Sequence, residues 1–342
     1  MRLLRTELSR FFARRFLHVL SIFILLIMGT VLAAVAGNST PVGPEQYAAA
    51  KDAAQRDFEL NKQMLQLEYE NCVEDVTSPT PSGTWGNGGI EVCAGILEKA
   101  RAISPSDPVA YLPDQFNLRY ELDTWLYLAA LVLCLFAFTI GASFVGAEWT
   151  SGGMTNLALW YPRRVALLAT KLTAALLGTA AVGAAYLALW TGGLGLVAQW
   201  RGVVDGATAG FWQSTALLCL RVLVLALASA AIGFALASLG RHTASALGIG
   251  IGYAIVVELG TLLVFGVLNA SFPERFRLST YIGAWLTQRV ELYEYDVCAG
   301  VGPGCGNRFY VVDLAASSAV LGTVVVLLAG AALFAFRRRD IA

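Results

Sequence analysis

Six stretches of this chain are too apolar and too long to be anything but helices that cross a lipid bilayer. They run over Leu17–Ala36, Thr124–Gly146, Val165–Leu189, Trp212–Leu239, Ala244–Leu268 and Val312–Phe336. A hydrocarbon core of about 30 Å takes about 20 helical residues to cross. Hydrocarbon offers the backbone no hydrogen-bond partner, so each stretch must satisfy its own amides and carbonyls as a helix. Composition agrees: 57% of residues are hydrophobic and 14% charged, where a soluble domain carries about a quarter charged residues. The fold class is therefore all-α, a polytopic membrane protein. The third stretch has a soft outer end, and Thr191–Gly195 reads as its frayed terminus.

Basic residues set the orientation. Arg2, Arg5, Arg10, Arg14 and Arg15 precede the first span. Arg163, Arg164 and Lys171 follow the second, Arg241 follows the fourth, and Arg337, Arg338 and Arg339 follow the sixth. With six spans all of these share one side, which places both termini in the cytoplasm and the chain in the cytoplasmic membrane. The intervening segments, 38–123 and 269–311, are rich in Asp and Glu. Cysteines follow the same division. Cys72 and Cys93 fall in the first outer segment, Cys298 and Cys305 in the last, and Cys134 and Cys219 inside spans. Disulfides persist in oxidising compartments, and proximity along the chain favours Cys72–Cys93 and Cys298–Cys305 over the other pairings.

The chain then divides as follows. Residues 1–16 form a cytoplasmic interfacial helix, with Leu4, Leu8, Phe11 and Phe12 on one face and arginines mostly elsewhere, suited to an anionic leaflet. Residues 17–36 are the first span. The basic start, apolar run and Ala34–Ala36 also resemble a cleavable leader, but the patterned first 16 residues favour a retained span. Residues 37–123 make an extracytoplasmic helical insert. A long helix begins near Glu45, a loop covers Thr77–Gly89 and a second helix covers Glu91–Ile103. Residues 124–268 carry spans two to five, with a cytoplasmic segment at 147–164. Residues 269–311 are extracytoplasmic. Within them Leu278–Val290 is apolar but too short to span, and reads as an interfacial or re-entrant helix. Residues 312–342 hold the sixth span and a basic tail.

Several function classes leave no trace. The chain has no Gly-x4-Gly-Lys-[Ser/Thr] phosphate cradle and no Gly-x-Ser-x-Gly elbow. Its only histidines, His18 and His242, do not make a metal-ligand pattern. Catalytic residues, a resident cofactor and a metal are therefore not expected, nor is nucleic-acid binding at a formal net charge of zero. Gly248 and Gly252 lie mid-span as Gly-xxx-Gly, which reads as a helix-packing site.

The stretch Gly146–Lys171, GAEWTSGGMTNLALWYPRRVALLATK, is a polar interlude of definite order between two spans. Glu148 at a helix start would complement the helix dipole. Trp149, Met154, Leu157 and Leu159 give the segment apolar surface, Pro162 ends the helix, and Arg163, Arg164 and Lys171 open the next span. A short docking helix and an ordinary basic connecting loop both fit these residues.

Glu148, Gly152, Leu157, Pro162, Arg164 and Lys171 together resemble the hallmark segment of type-2 ATP-binding-cassette (ABC) exporter permeases. The fuller GASFVGAEWTSGGMT…WYPRRV is similar to an actinobacterial-type group within that family, and the terminal FRRRDIA resembles its Arg-Arg-Asp ending. Gly153 stands where the family has Thr, and both outer segments are large. The resemblance implies a permease subunit, paired with an identical or homologous second permease chain. A separate cytoplasmic ATPase would hold ATP and Mg. Residues Ala147–Leu159 would then form a coupling helix, with Glu148 holding its start and Trp149, Met154 and Leu157 contacting the ATPase. The apolar frame suits a hydrophobic or amphipathic substrate. An ATPase-independent channel or secondary transporter, and a membrane sensor or assembly factor acting through the outer segments, are the other readings.

Two ionisable residues lie within spans, Arg221 in the fourth and Glu258 in the fifth. Counted from the outer ends of those spans, each sits about 14–15 Å deep at 1.5 Å per residue. Opposite charges at one depth on consecutive antiparallel helices are expected to face each other. Such a pair could fix helix packing or line a translocation path, or Arg221 could snorkel to water instead.

Overall fold

The computed structural model describes residues 2–78, 90–104, 107–112, 115–160, 164–204, 207–268, 272–293 and 309–338. Twelve helices and one two-stranded sheet are named among them. In chain order they are α1 (Arg2–Phe12), α2 (Arg15–Asn38), α3 (Pro44–Thr77), α4 (Ile90–Ala102), α5 (Leu118–Thr150), α6 (Gly153–Trp160), α7 (Arg164–Arg201), α8 (Ala209–Gly240), α9 (Thr243–Tyr253), α10 (Gly260–Leu268), α11 (Leu278–Thr287), β1 (Arg289–Tyr293), β2 (Phe309–Asp313) and α12 (Leu314–Arg338). Six helical runs are long and apolar enough to cross a membrane: α2, α5, α7, α8, the run Thr243–Phe265 and α12.

The residues group into two units. The first comprises Met1–Leu32, Leu118–Leu196 and Val204–Ala342. At its centre α5 packs along α8, and small residues permit this. A Cβ on Gly141 would sit 2.2 Å from the carbonyl oxygen of Ala230, and one on Gly233 would sit 2.2 Å from that of Phe138. Backbone therefore meets backbone at two places on this seam, as membrane helices do where small residues replace hydrophobic driving force. Ala130 and Ala137 of α5 and Ala226, Ala230 and Ala235 of α8 are also buried. At Gly248 and Gly252 a Cβ would meet nothing within 4 Å. The mid-span Gly-xxx-Gly makes no close approach among the described residues. The tight contact on that helix falls to Gly250, which faces the Phe138 ring.

Helix limits follow local chemistry. Thr208 caps α8, its hydroxyl accepting from the Phe211 amide at 3.4 Å, and Arg241 ends it in the left-handed region at φ 56°. His242 then starts α9, its Nδ1 accepting from the Ala244 amide at 3.0 Å. The third span does not fray at Thr191–Gly195: α7 runs through all three glycines to Arg201. The fifth span is not one regular α-helix. Ala254–Leu259 forms a π-helical turn between α9 and α10, a wide turn that often marks a functional position. The segment after it contains a helix where one is expected, although α11 stops at Thr287. Gln288, at φ 71°, turns the chain into β1. Residues 289 and 290, expected to be helical, open a hairpin instead, with β1 antiparallel to β2 from Arg289↔Asp313 to Tyr293↔Phe309. Alternating Arg-Val-Glu-Leu-Tyr has the period of a strand rather than a helix.

The second unit comprises Ala33–Asn117 and Val197–Val203. Gly43 and Pro44 start α3, with the Gln46 side chain accepting from the Gly43 amide at 3.1 Å, and Pro at the first helical position lacks only an amide that would be orphaned anyway. Cys72 of α3 and Cys93 of α4 form a disulfide. Around it Ile96, Leu65, Tyr69, Val73 and Val76 make a small core. The ends of the unit are stitched together. The Phe116 amide donates to the Ser39 hydroxyl at 3.0 Å, the Val203 amide to the Phe116 carbonyl at 2.9 Å, and the Ser39 hydroxyl to the Arg201 carbonyl. Cys298 and Cys305 lie outside the described residues. Cys134 and Cys219 carry free thiols.

Candidate functional site

At the end of the first unit that gathers the basic residues, four charged side chains from distant parts of the sequence meet. Lys171 projects from the second turn of α7, Glu148 from the last turn of α5, Glu7 from α1 and Arg14 from the joint between α1 and α2. The Lys171 ammonium lies 2.8 Å from Glu7 Oε2 and 2.6 Å from Glu148 Oε2. The contact with Glu7 has hydrogen-bond geometry, whereas the one with Glu148 is an ion contact outside it. Arg14 spans Glu148 Oε1 and the Ser143 carbonyl, both at 3.0 Å. Lys171 and Glu7 are wholly shut off from solvent. Arg10 adds a third cation from the exposed edge, 3.2 Å from Glu7 Oε1, so both carboxylates are fully paired, as burial demands, because an unpaired ion there would cost several kcal/mol. Burial draws Arg14 below its ordinary pKa, while Glu148 and Glu7 oppose that shift.

Phe144 lines this cluster. The Arg14 guanidinium stands 4.5 Å from its ring centroid and the Lys171 ammonium 5.8 Å, within cation–π range. Phe11 meets Phe144 edge-on at 5.5 Å and is almost wholly buried. It has room because Gly178 carries no side chain: a Cβ there would sit 2.4 Å from the Phe11 ring. The first helix is thus more than an amphipathic segment resting on lipid. One face, carrying Glu7 and Phe11, is inserted among α5 and α7.

Glu148 is not at a helix start. It lies near the C-terminus of α5, where the dipole disfavours an anion, and the two cations hold it there. The separate short helix is α6, which begins only at Gly153. Gly152, at φ 72°, makes the break, and its left-handed backbone is a conformation that glycine adopts without strain. Trp149 turns inward. Its ring packs edge-on against Phe336 at 5.9 Å and beneath the Arg241 guanidinium at 5.3 Å. Met154 is fully buried. Neither therefore presents the outward contact face expected of it. The outward residues are Thr150, Ser151 and Asn156, beside half-buried Leu157. Pro162 lies outside the described residues, and Arg164 opens α7.

Arg221 and Glu258 do not pair. Each instead serves one end of α11. Glu258, in the π turn, accepts from the Ser279 amide at 3.1 Å and from its hydroxyl at 2.6 Å. Tyr253 bridges the same end, its hydroxyl donating to Glu258 and accepting from the Leu278 amide. Arg221 donates to the Leu286 carbonyl at 3.4 Å. With its amide oxygen turned toward the guanidinium, Gln288 accepts from both terminal nitrogens at 3.0 Å. The Trp285 indole donates to the Arg221 carbonyl at 3.0 Å. An anion at the N-terminus and a cation at the C-terminus match the dipole of α11 and meet its orphan backbone groups. Ten residues of helix engage both side chains without bringing them together.

The resemblance carried by Glu148, Gly152 and Lys171 has independent support. The family described as "ABC-2 family transporter protein" matches the chain over residues 1–341. No curated protein shows a matching sequence. The chain belongs to the ABC-2 transporter family, and is a multi-pass membrane permease subunit that works with a cytoplasmic ABC ATPase.

Proposed function

We propose that this ABC-2 permease is the membrane half of an exporter in which α6 receives the ATPase stroke and the buried four-charge cluster passes it on. Two permease chains, identical or homologous, enclose the path between them. ATP and Mg are bound in the ATPase chains. The basic ends of the spans lie in the cytoplasm, a reading supported by the arginine distribution and by a disulfide in the opposite segment. The substrate is hydrophobic or amphipathic, in keeping with the apolar frame.

The observation that carries this reading is the arrangement around Gly152. A short helix with a polar outward edge hangs by one left-handed residue from a long membrane helix. Four residues before that joint, Glu148 is tied to α7 through Lys171 and to the α1–α2 joint through Arg14. Force on α6 therefore has a stiff route to three other helices, and a ligand-driven shift between two states needs such an element.

Co-purification and coupled transport test the reading. A charge on the half-buried edge of α6, Leu157→Asp, is expected to leave the chain inserted and folded. In proteoliposomes with the partner ATPase it should abolish transport while ATP hydrolysis continues or the ATPase is lost. Unchanged transport by this variant would reduce the segment to a connecting loop.

A further inference from the structure

We infer that the first unit holds an anionic phospholipid of the bilayer, its acyl chain in a groove between α7, α8 and α12 and its headgroup at Arg221. The groove has a volume of about 360 Å³, and its walls include Leu176, Val224, Ala228, Trp285, Ser318 and Gly322. Its lining is almost wholly hydrocarbon. The Ser318 hydroxyl already donates to the Ala315 carbonyl at 2.8 Å, and the Trp285 indole donates to Arg221. A ligand with buried polar atoms would find no partner inside, so the occupant of the groove is a hydrocarbon chain.

Depth fixes where the headgroup goes. Arg221 and Arg241 stand twenty residues apart on the continuous run of α8 and its cap, which at 1.5 Å per residue is about 30 Å, one hydrocarbon thickness. Ser318 and Arg338 stand twenty residues apart on α12, the same interval. With the basic ends at one membrane surface, Arg221 and Ser318 therefore lie at the opposite surface and not in mid-bilayer. The groove runs inward from that level, from Ser318 to Val326 along α12, over about 12 Å. Trp285 sits where indoles collect, at the boundary between headgroups and chains.

Charge selects the headgroup. Among the described residues Arg221 has no carboxylate within ion-pair distance. Its hydrogen bonds go to one carbonyl and one amide, both neutral. A guanidinium at the membrane surface with only neutral partners leaves its charge for a phosphate, which it binds in bidentate fashion. A second copy of the chain would offer the groove side chains but no phosphate.

The test is native mass spectrometry of the purified full-length chain, titrated with phosphatidylglycerol or phosphatidylcholine. One phosphatidylglycerol per chain should be retained, about tenfold more tightly than phosphatidylcholine, as a charge-assisted contact implies. Arg221→Gln should abolish that difference and Arg221→Lys should keep most of it. Gly322→Leu fills the groove, and a Cβ there meets nothing within 4 Å, so the variant is expected to fold. It should weaken both lipids equally. Should Arg221→Gln fail to fold, the wild-type headgroup preference and Gly322→Leu still decide. Equal retention of the two lipids by the wild type would overturn the inference, as would Gly322→Leu without effect. Efficient disulfide crosslinking between chains at Val325→Cys in native membranes would assign the groove to a second copy and overturn it too.

Discussion

The two ends of the membrane unit meet the same problem, ionised side chains among apolar helices, with different solutions. At the basic end Glu7, Arg14, Glu148 and Lys171 neutralise one another, and Lys171 and Glu7 are cut off from solvent. At the other end Glu258 and Arg221 stay apart, half-exposed, each bound to a terminus of α11. The first arrangement is tightly coupled, because each carboxylate is shared between two cations and the Lys171–Glu7 contact is closed to water. The second is graded, since a helix terminus carries only about half a charge and water can replace its partner.

Removing Lys171 breaks this contrast most severely if it is wrong. Lys171→Met leaves two carboxylates facing each other and should destabilise the protein by about 3–5 kcal/mol, read as a fall in thermal unfolding temperature in detergent. Adding Glu7→Gln should recover part of that loss. A single variant as stable as wild type would mean that the cluster holds nothing.

At the other end the expected losses are smaller and local. Glu258→Ala removes a cap and should cost about 1–2 kcal/mol. Hydrogen exchange at the Leu278 and Ser279 amides should accelerate while amides around Lys171 stay protected. Acceleration at both ends together would show that the two regions are not independent. Glu258→Gln keeps an acceptor and should be milder.

Arg10 gives the smallest effect. Its side chain is 51% exposed over Glu7, so Arg10→Gln should change stability by less than about 1 kcal/mol. Any such difference should vanish at about 1 M salt, where screening reaches about 3 Å, while the Lys171→Met loss persists.

Much of this was legible in the residues. The six spans, α3, α4 and the Cys72–Cys93 bridge follow from apolar length, periodicity and cysteine placement. Glu148 and Lys171 stood out through their order along the chain. Glu7 did not, because an acid in an arginine-rich amphipathic helix reads as a surface residue. Only the fold shows that it meets a lysine 164 positions away. The glycines divided in the same way. Gly248 and Gly252 have the spacing of a packing motif but meet nothing within 4 Å, whereas Gly141 and Gly233, each four residues after a small residue (Ala137 and Ser229), make the tight seam. Spacing places small residues on one face of a helix without saying whether anything lies against that face. Arg221 and Glu258 were matched by charge and depth. A short helix whose ends could take both charges has no signal in the spans themselves.

The backbone seam of α5 and α8 limits how such a machine can move. Side chains can rearrange as two helices slide, but a carbonyl lodged against a glycine has no rotamers. Displacing Ala230 along Gly141, or Phe138 along Gly233, would drive main chain into main chain. Sliding of α5 along α8 is therefore blocked at both points. The side chains of α2 and of the span interrupted by the π turn face mostly outward. In mechanical terms α5 and α8 are keyed together, backbone into backbone.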